Sequence, residues 1–171
     1  MAIFYPDFLV SKVIALTPQT LHTMGISALL LDVDNTLTTH NNPHPYEGVT
    51  GWIDSLQQAG IALVIVSNNS PQRVAPFAQA LGVPYVANGA KPLPKGYRQA
   101  VELLGLTPAK GQVAAVGDQI FTDIIGGNLL GITTIMVTEI TPEQGRFFRL
   151  KRWLERRIMT PKRMGRIPHI Q

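Results

Sequence analysis

The chain has no cysteine in 171 residues. That removes disulfides, thiolate zinc sites and every cysteine-nucleophile mechanism from consideration. It also lacks any apolar run long enough to span a bilayer, the longest being of the size of Ile61 to Val66, so no transmembrane helix is predicted. No basic region precedes the apolar residues of the N-terminus and no small-residue cleavage site follows them, so no secretory signal is read. A cytoplasmic location is the resulting expectation. Low-complexity segments are absent too. With 45% apolar and 15% charged residues the chain is not of disordered composition, and its length suits one domain with terminal extensions.

Acidic residues are scarce at one end. Residues 146–171 carry nine Lys/Arg against one Asp/Glu, whereas residues 1–145 carry six against ten. A net +4 therefore hides a −4 body and a +8 tail, and a basic, partner-seeking surface is expected at the C-terminus. Within it Phe147, Leu150, Leu154 and Ile158 recur at helical spacing opposite Arg149, Arg152 and Arg156, which predicts a basic amphipathic helix ended by Pro161. Three readings of this helix stand side by side: packing on the sheet, contact with an anionic membrane surface, and nucleic-acid binding, the last without any recognised module around it.

What is present is an alternation. Ala28–Leu31, Ile61–Val66, Val113–Val116 and Thr133–Val137 are short apolar runs, with a briefer one near Tyr85–Ala87, and each is followed by polar residues and then by a helical pattern. Helices are read over 48–59, from Pro71 to Leu81 with Gly82 as the stop, from Lys95 to Leu104, and through Asn128. Residues 7–24 read as a helix, a turn at Thr17-Pro18 and a second short helix, covering a sheet edge or face. Strands alternating with helices of about ten residues imply an α/β fold, a Rossmann-like parallel sheet flanked by helices. The expected organisation is a helical N-terminal extension over 1–27, an α/β core over 28–145, and the basic helix and tail over 146–171.

In such sheets ligands bind beyond the carboxyl ends of the strands. Asp32, Asp34, Ser67, Lys91, Asp118 and Asp123 all stand at or just after a predicted strand end, and are expected to converge. Two carboxylates one residue apart, Asp32 and Asp34, can face one pocket while Val33 turns into the core, and a hard cation such as Mg2+ would offset their repulsion. The plain alternatives are capping for Asp34, Asn35, Ser67 and Asp118, and a solvated charge for Lys91, with Lys95 as its rival. His40 and His44 lie in a proline-broken loop without a third ligand, so a solvated loop or a substrate contact is preferred to a metal pair there.

Taken together, Asp32-Val33-Asp34-Asn35-Thr36, then Ser67, then Lys91-Pro92, then Gly117-Asp118 with Asp123 resemble the four motifs of the haloacid dehalogenase-like (HAD) phosphatase superfamily. The forms D-V-D-N-T-L, S-N-N and G-D-Q-x-x-T-D, led by Phe4-Tyr5-Pro6-Asp7, are similar to the YqeG family of subfamily IIIA, and that family is similar to phosphatidylglycerophosphate phosphatases. The resemblance implies a Mg2+-dependent phosphomonoesterase. Asp32 would be the nucleophile and Asp34 the acid and base. Ser67, Asn68 and Lys91 would bind the phosphate. Asp32, Asp118 and Asp123, with the backbone carbonyl of Asp34, would hold the metal. Only 34 residues separate Asp32 from Ser67 and 23 separate Ser67 from Lys91, so no cap domain fits. An open site of this kind favours a phosphate presented on a surface, such as phosphatidylglycerophosphate at the inner face of a membrane. Alternatives are a soluble phosphosugar, nucleotide or phosphoprotein substrate, or a noncatalytic protein binding RNA or lipid.

Overall fold

A computed structural model of the chain describes residues 2–40, 42–138, 157 and 165–170. Seven strands form one sheet: β1 (Phe8–Val10), β2 (Ala28–Leu31), β3 (Ala62–Val66), β4 (Tyr85–Val86), β5 (Val113–Gly117), β6 (Thr133–Val137) and β7 (His169–Ile170). Their order is β4-β3-β2-β5-β6-β1-β7, and every neighbouring pair is parallel. Helices α1 (Pro18–Thr23), α2 (Val49–Gln58), α3 (Pro71–Ala80), α4 (Lys95–Leu103) and α5 (Ile125–Leu130) occupy the connections. The parallel α/β architecture is the one expected from the alternation.

The central strand β2 shows how the sequence divides the core. All four of its residues are buried, as a strand covered on both faces requires. Successive side chains alternate sides. Leu29 and Leu31 join the larger apolar cluster with Ile53 and Leu56 of α2 and Val74 and Phe77 of α3, while Ala28 and Leu30 join a second cluster with Tyr97, Ala100 and Val101 of α4. From β2 the chain moves to β3 and β4 on one side, then returns to β5 and β6 on the other. The sheet order therefore reverses beside β2, which is where a ligand crevice opens in a fold of this kind.

The N-terminal reading needs correction. Residues 7–24 are not two helices: Phe8–Val10 is a strand, paired with β6 in the register Phe8↔Ile135 to Val10↔Val137, and it is followed by a 3-10 turn over Val13–Ala15 before α1. Three consecutive aromatic and β-branched or aliphatic residues fit a buried strand, and the spacing of Leu9, Val13 and Leu16 imitates a helical stripe only because the turn follows at once. Asp7 fixes the entry to β1, its Oδ2 accepting from the Thr134 N–H at 3.0 Å. The segment expected as an extension thus supplies the sheet. At the other end His169 and Ile170 pair with Leu9 and Val10, again as sheet rather than tail. Of the basic segment 146–166, all but Arg157, Gly165 and Arg166 lies outside the described residues; Arg157 is helical and exposed.

Candidate active site

Four strand ends build the site. Beyond β2 the ladder continues for one residue, the Asp32 N–H donating to the Val116 carbonyl at 2.9 Å, which sets the Asp32 side chain at the carboxyl edge. Val33 is buried, as alternation requires. The chain then turns tightly, with Asn35 at φ 57° and its N–H bonded to Thr38.

Beyond β3, Ser67 is buried and its Oγ accepts from the Asn69 N–H at 3.2 Å. Asn68, expected on the phosphate, holds the Lys91 backbone with its side-chain amide: Oδ1 accepts from Lys91 N at 2.7 Å and Nδ2 donates to Lys91 O at 3.0 Å. This reciprocal pair fixes the loop after β4. It delivers the Lys91 ammonium to the centre of the site, where Nζ contacts Asp32 Oδ1 and lies 2.7 Å from Asp123 Oδ1. Lys95, at the first turn of α4, is exposed, so Lys91 is the lysine the fold brings in.

Beyond β5 come Asp118, buried, and a π-helical turn over Ile120–Ile124 where sequence periodicity shows only helix. Single π turns of this kind concentrate at functional sites. Here the wider turn aims Asp123 back at β5, and its Oδ2 accepts from Gln119 N at 3.1 Å. Tyr97 donates its hydroxyl to Asp123 Oδ1 at 3.1 Å. The outcome is a triad, Asp32, Asp118 and Asp123, whose ligand oxygens all lie within 4.8 Å of one another. Three carboxylates against one ammonium leave the cluster short of positive charge, and an all-oxygen set is what a hard divalent cation takes. These residues therefore fit Mg2+. His40 and His44 are exposed and belong to no such group among the described residues.

Electrostatics follow the burial. Burial is the largest influence on Asp32 and pushes its carboxyl up to about 7, against the pull of Lys91. Burial would lower Lys91, but the carboxylates of Asp123 and Asp32 outweigh it and hold the ammonium well above its ordinary range. Burial likewise raises Tyr97, which stays a hydroxyl donor.

Asp34 does not share this cluster. Both its oxygens turn toward α3: Oδ2 accepts from Asn69 Nδ2 at 2.6 Å and Oδ1 from a terminal nitrogen of Arg73 at 3.3 Å. Alternation along the strand puts Asp32 and Asp34 on one edge, but their carboxylates are held by different partners. Asn69 falls in the S-N-N form with no role assigned to it, and Arg73 and Tyr97 fall in no motif. Arg73 carries a signal all the same, since the first turn of a helix is an unfavourable place for a cation unless an anion faces it.

The sequence model of the haloacid dehalogenase-like hydrolase family matches residues 25–131, which span β2 to α5 and hold every one of these side chains. The chain belongs to that family. HAD kinship extends beyond the core in "Probable phosphatase YqeG" of Bacillus subtilis, 34% identical over 165 residues, 96% of this chain and 95% of that one. Solved structures share the HAD fold at lower identity. A HAD-superfamily hydrolase of Ehrlichia chaffeensis is 21% identical with a TM-score of 0.50, over 67% of this chain and 60% of the other. A hypothetical protein of Xanthomonas campestris is 17% identical with a TM-score of 0.54, over 74% and 75%. With the YqeG relative matched along nearly its whole length and the carboxylate–lysine site assembled, the chain is an enzyme of the HAD phosphatase class. Between Asp32 and Ser67 the fold holds only a loop, α2 and β3, and between Ser67 and Lys91 only α3 and β4, so no cap is inserted.

Proposed function

We propose that this HAD enzyme is a Mg2+-dependent phosphomonoesterase that works through an aspartyl-phosphate on Asp32, and that its substrate is phosphatidylglycerophosphate met at a membrane surface. The observation that carries the mechanism is the division of labour between two carboxylates: Asp32 against the buried Lys91, Asp34 held apart by Asn69 and Arg73. An Asp32 oxygen attacks phosphorus, the bond from phosphorus to the ester oxygen breaks, and Asp34 gives that oxygen its proton. Asp34 then takes a proton from water, which attacks the same phosphorus, frees inorganic phosphate and restores Asp32. Lys91 and Ser67 meet the phosphoryl oxygens as charge shifts onto them, a role in which fixed donors in a dry site are worth most. Mg2+ held by Asp32, Asp118 and Asp123 would neutralise the phosphate and favour the ionised form of an Asp32 that burial otherwise keeps partly protonated.

Support for a surface substrate comes from the lack of a cap between the motif residues, among the described residues, and from the +8 segment at the C-terminus. Without a cap, loops or the substrate itself must exclude water, and a headgroup at an interface can do so. No helix among the described residues is long and apolar enough to cross a membrane, so contact would be peripheral. The test is a panel assayed with Mg2+: an aryl phosphate, phosphatidylglycerophosphate in vesicles, a phosphosugar, a nucleoside monophosphate and a phosphopeptide. Asp32→Asn should abolish turnover of all, and acid quench should trap phosphate on Asp32. Residual activity above roughly a hundredth would contradict covalent catalysis. A soluble ester preferred over the lipid would remove the membrane substrate while leaving the mechanism.

A further inference from the structure

Arg73 is the least expected group near the site. It stands in the first turn of α3, its side chain 22% exposed, and one terminal nitrogen serves two acceptors, Asp34 Oδ1 at 3.3 Å and the Asn42 carbonyl at 2.8 Å. The guanidinium lies over the Phe77 ring, 5.7 Å from its centroid and one helical turn along α3. Its buried Nε has no hydrogen-bond partner among the described residues. A cation so placed opposes the helix dipole and leaves a donor unsatisfied, a cost that a compensating task would offset.

We propose that Arg73 is the positioning residue for the acid and base Asp34, and that it couples this carboxyl to the backbone at Asn42. The proposal rests on the role given to Asp34 above. Asn69 donates to one oxygen of the carboxylate and Arg73 to the other, so the plane of the group is fixed. One amide alone would leave the carboxyl free to rotate about its last bond; two donors from different side chains do not. Phe77 fixes the guanidinium in turn, and the bond to the Asn42 carbonyl ties the same group to the backbone beyond Thr38. Positioning of this kind matters only to the step that moves the proton.

That restriction supplies the test. Phenyl phosphate and 4-nitrophenyl phosphate are similar in shape, but only the first has a leaving oxygen that depends strongly on protonation. For wild type, Arg73→Gln, Arg73→Lys, Asp34→Asn and the Arg73→Gln, Asp34→Asn double variant, kcat/KM is measured on both esters. Thermal unfolding and Mg2+ binding by calorimetry are followed alongside. Arg73→Gln is expected to lose roughly tenfold or more on phenyl phosphate, a share of the 10²–10⁴ that a positioned acid supplies, and less than about threefold on the nitrophenyl ester. Arg73→Lys should recover part of the loss, charge without the fork. The double variant should be no worse than Asp34→Asn, because both changes disable one function. Equal loss on both esters, with KM raised, would make Arg73 a phosphate ligand and overturn the proposal; so would no loss on either. If Asp34→Asn itself fails to discriminate the esters, the role of Asp34 falls and the proposal with it. If only Arg73→Gln fails to do so, the role of Asp34 stands.

Discussion

Lys91 and Asp123 form an ion pair at 2.7 Å with side chains 3% and 1% exposed, and the same ammonium meets Asp32. Removing one member of a buried charged cluster costs more than the pair contributes, because the partners stay buried and uncompensated. Lys91→Met is expected to destabilise the metal-free protein by about 3–5 kcal/mol. Mg2+ should restore part of this, since the ion would then take over from Lys91 as the positive charge facing Asp32 and Asp123. Activity should fall by about 10² or more, as for loss of one preorganised donor. Urea unfolding with and without Mg2+ measures the first effect; stability unchanged in chelator would show that the carboxylates do not need the lysine.

Asp32 makes metal-free stability depend on pH in an unusual direction. Its folded carboxyl, raised chiefly by burial to about 7, lies above the ordinary value of 3.8, so between these the folded chain binds more protons than the unfolded one. Stability from this group is full below about 4 and is lost as pH rises through about 7. Lys91 and Tyr97 are raised as well, but from 10.5 and 10.0, and act only at higher pH. In chelator the denaturation midpoint should therefore fall from pH 5 to pH 7.5, and the fall should be smaller in Asp32→Asn and in excess Mg2+. A midpoint in chelator that rises over this range in wild type, and equally in Asp32→Asn, would refute the assignment.

How much of this was legible beforehand depended on how much of each feature is local. β2, β3, β5 and β6 are runs of four or five buried residues with polar stops, and the ends of β2, β3 and β5 carry Asp32, Ser67 and Asp118, which is why these positions could be read from local pattern. Lys91 follows the two-residue β4, and Asp123 sits in the π turn after β5. β1 and β7 are three and two residues long, too short for period two to show, and only pairing with β6 and with each other through β1 makes them strands. The direction of the Asp34 carboxylate depends on Asn69 and Arg73, 35 and 39 residues away in sequence. The π turn that aims Asp123 has the same composition as a helix. Such features are tertiary and leave little trace in a single sequence.

Gly117, the last residue of β5, sets the space for Asp123. A Cβ there would fall 2.3 Å from Asp123 Cγ. Asp123 has little freedom to give way, its Oδ2 being held by Gln119 N and its Oδ1 by Lys91 and Tyr97. Gly117→Ala should leave a folded protein, destabilised by about 1–3 kcal/mol as overpacked sites are. Its Mg2+ affinity should weaken roughly tenfold to a hundredfold, the range seen when groups orienting metal ligands are disturbed. Calorimetric titration decides it, and wild-type affinity in a folded variant would place Asp123 outside the metal's reach.

The basic segment can be tested without reference to its conformation. Nine Lys/Arg against one acid, with Phe147, Phe148 and Trp153 among them, are suited to an anionic leaflet, where each basic residue near the surface contributes about 1 kcal/mol. Changing Arg152, Arg156, Arg157, Lys162 and Arg163 to Gln would then remove several kcal/mol of attraction, enough to weaken partitioning by more than about a hundredfold at low salt. Cosedimentation with vesicles of pure phosphatidylcholine and with added phosphatidylglycerol, at low and high salt, reads this directly. Binding should need the anionic lipid, fall with salt as screening shortens its reach, and be lost in the variant, while turnover of a soluble aryl phosphate is expected to stay unchanged. Equal partitioning of the two proteins, or binding indifferent to lipid charge, would detach the tail from the membrane and leave the open site to a soluble ester.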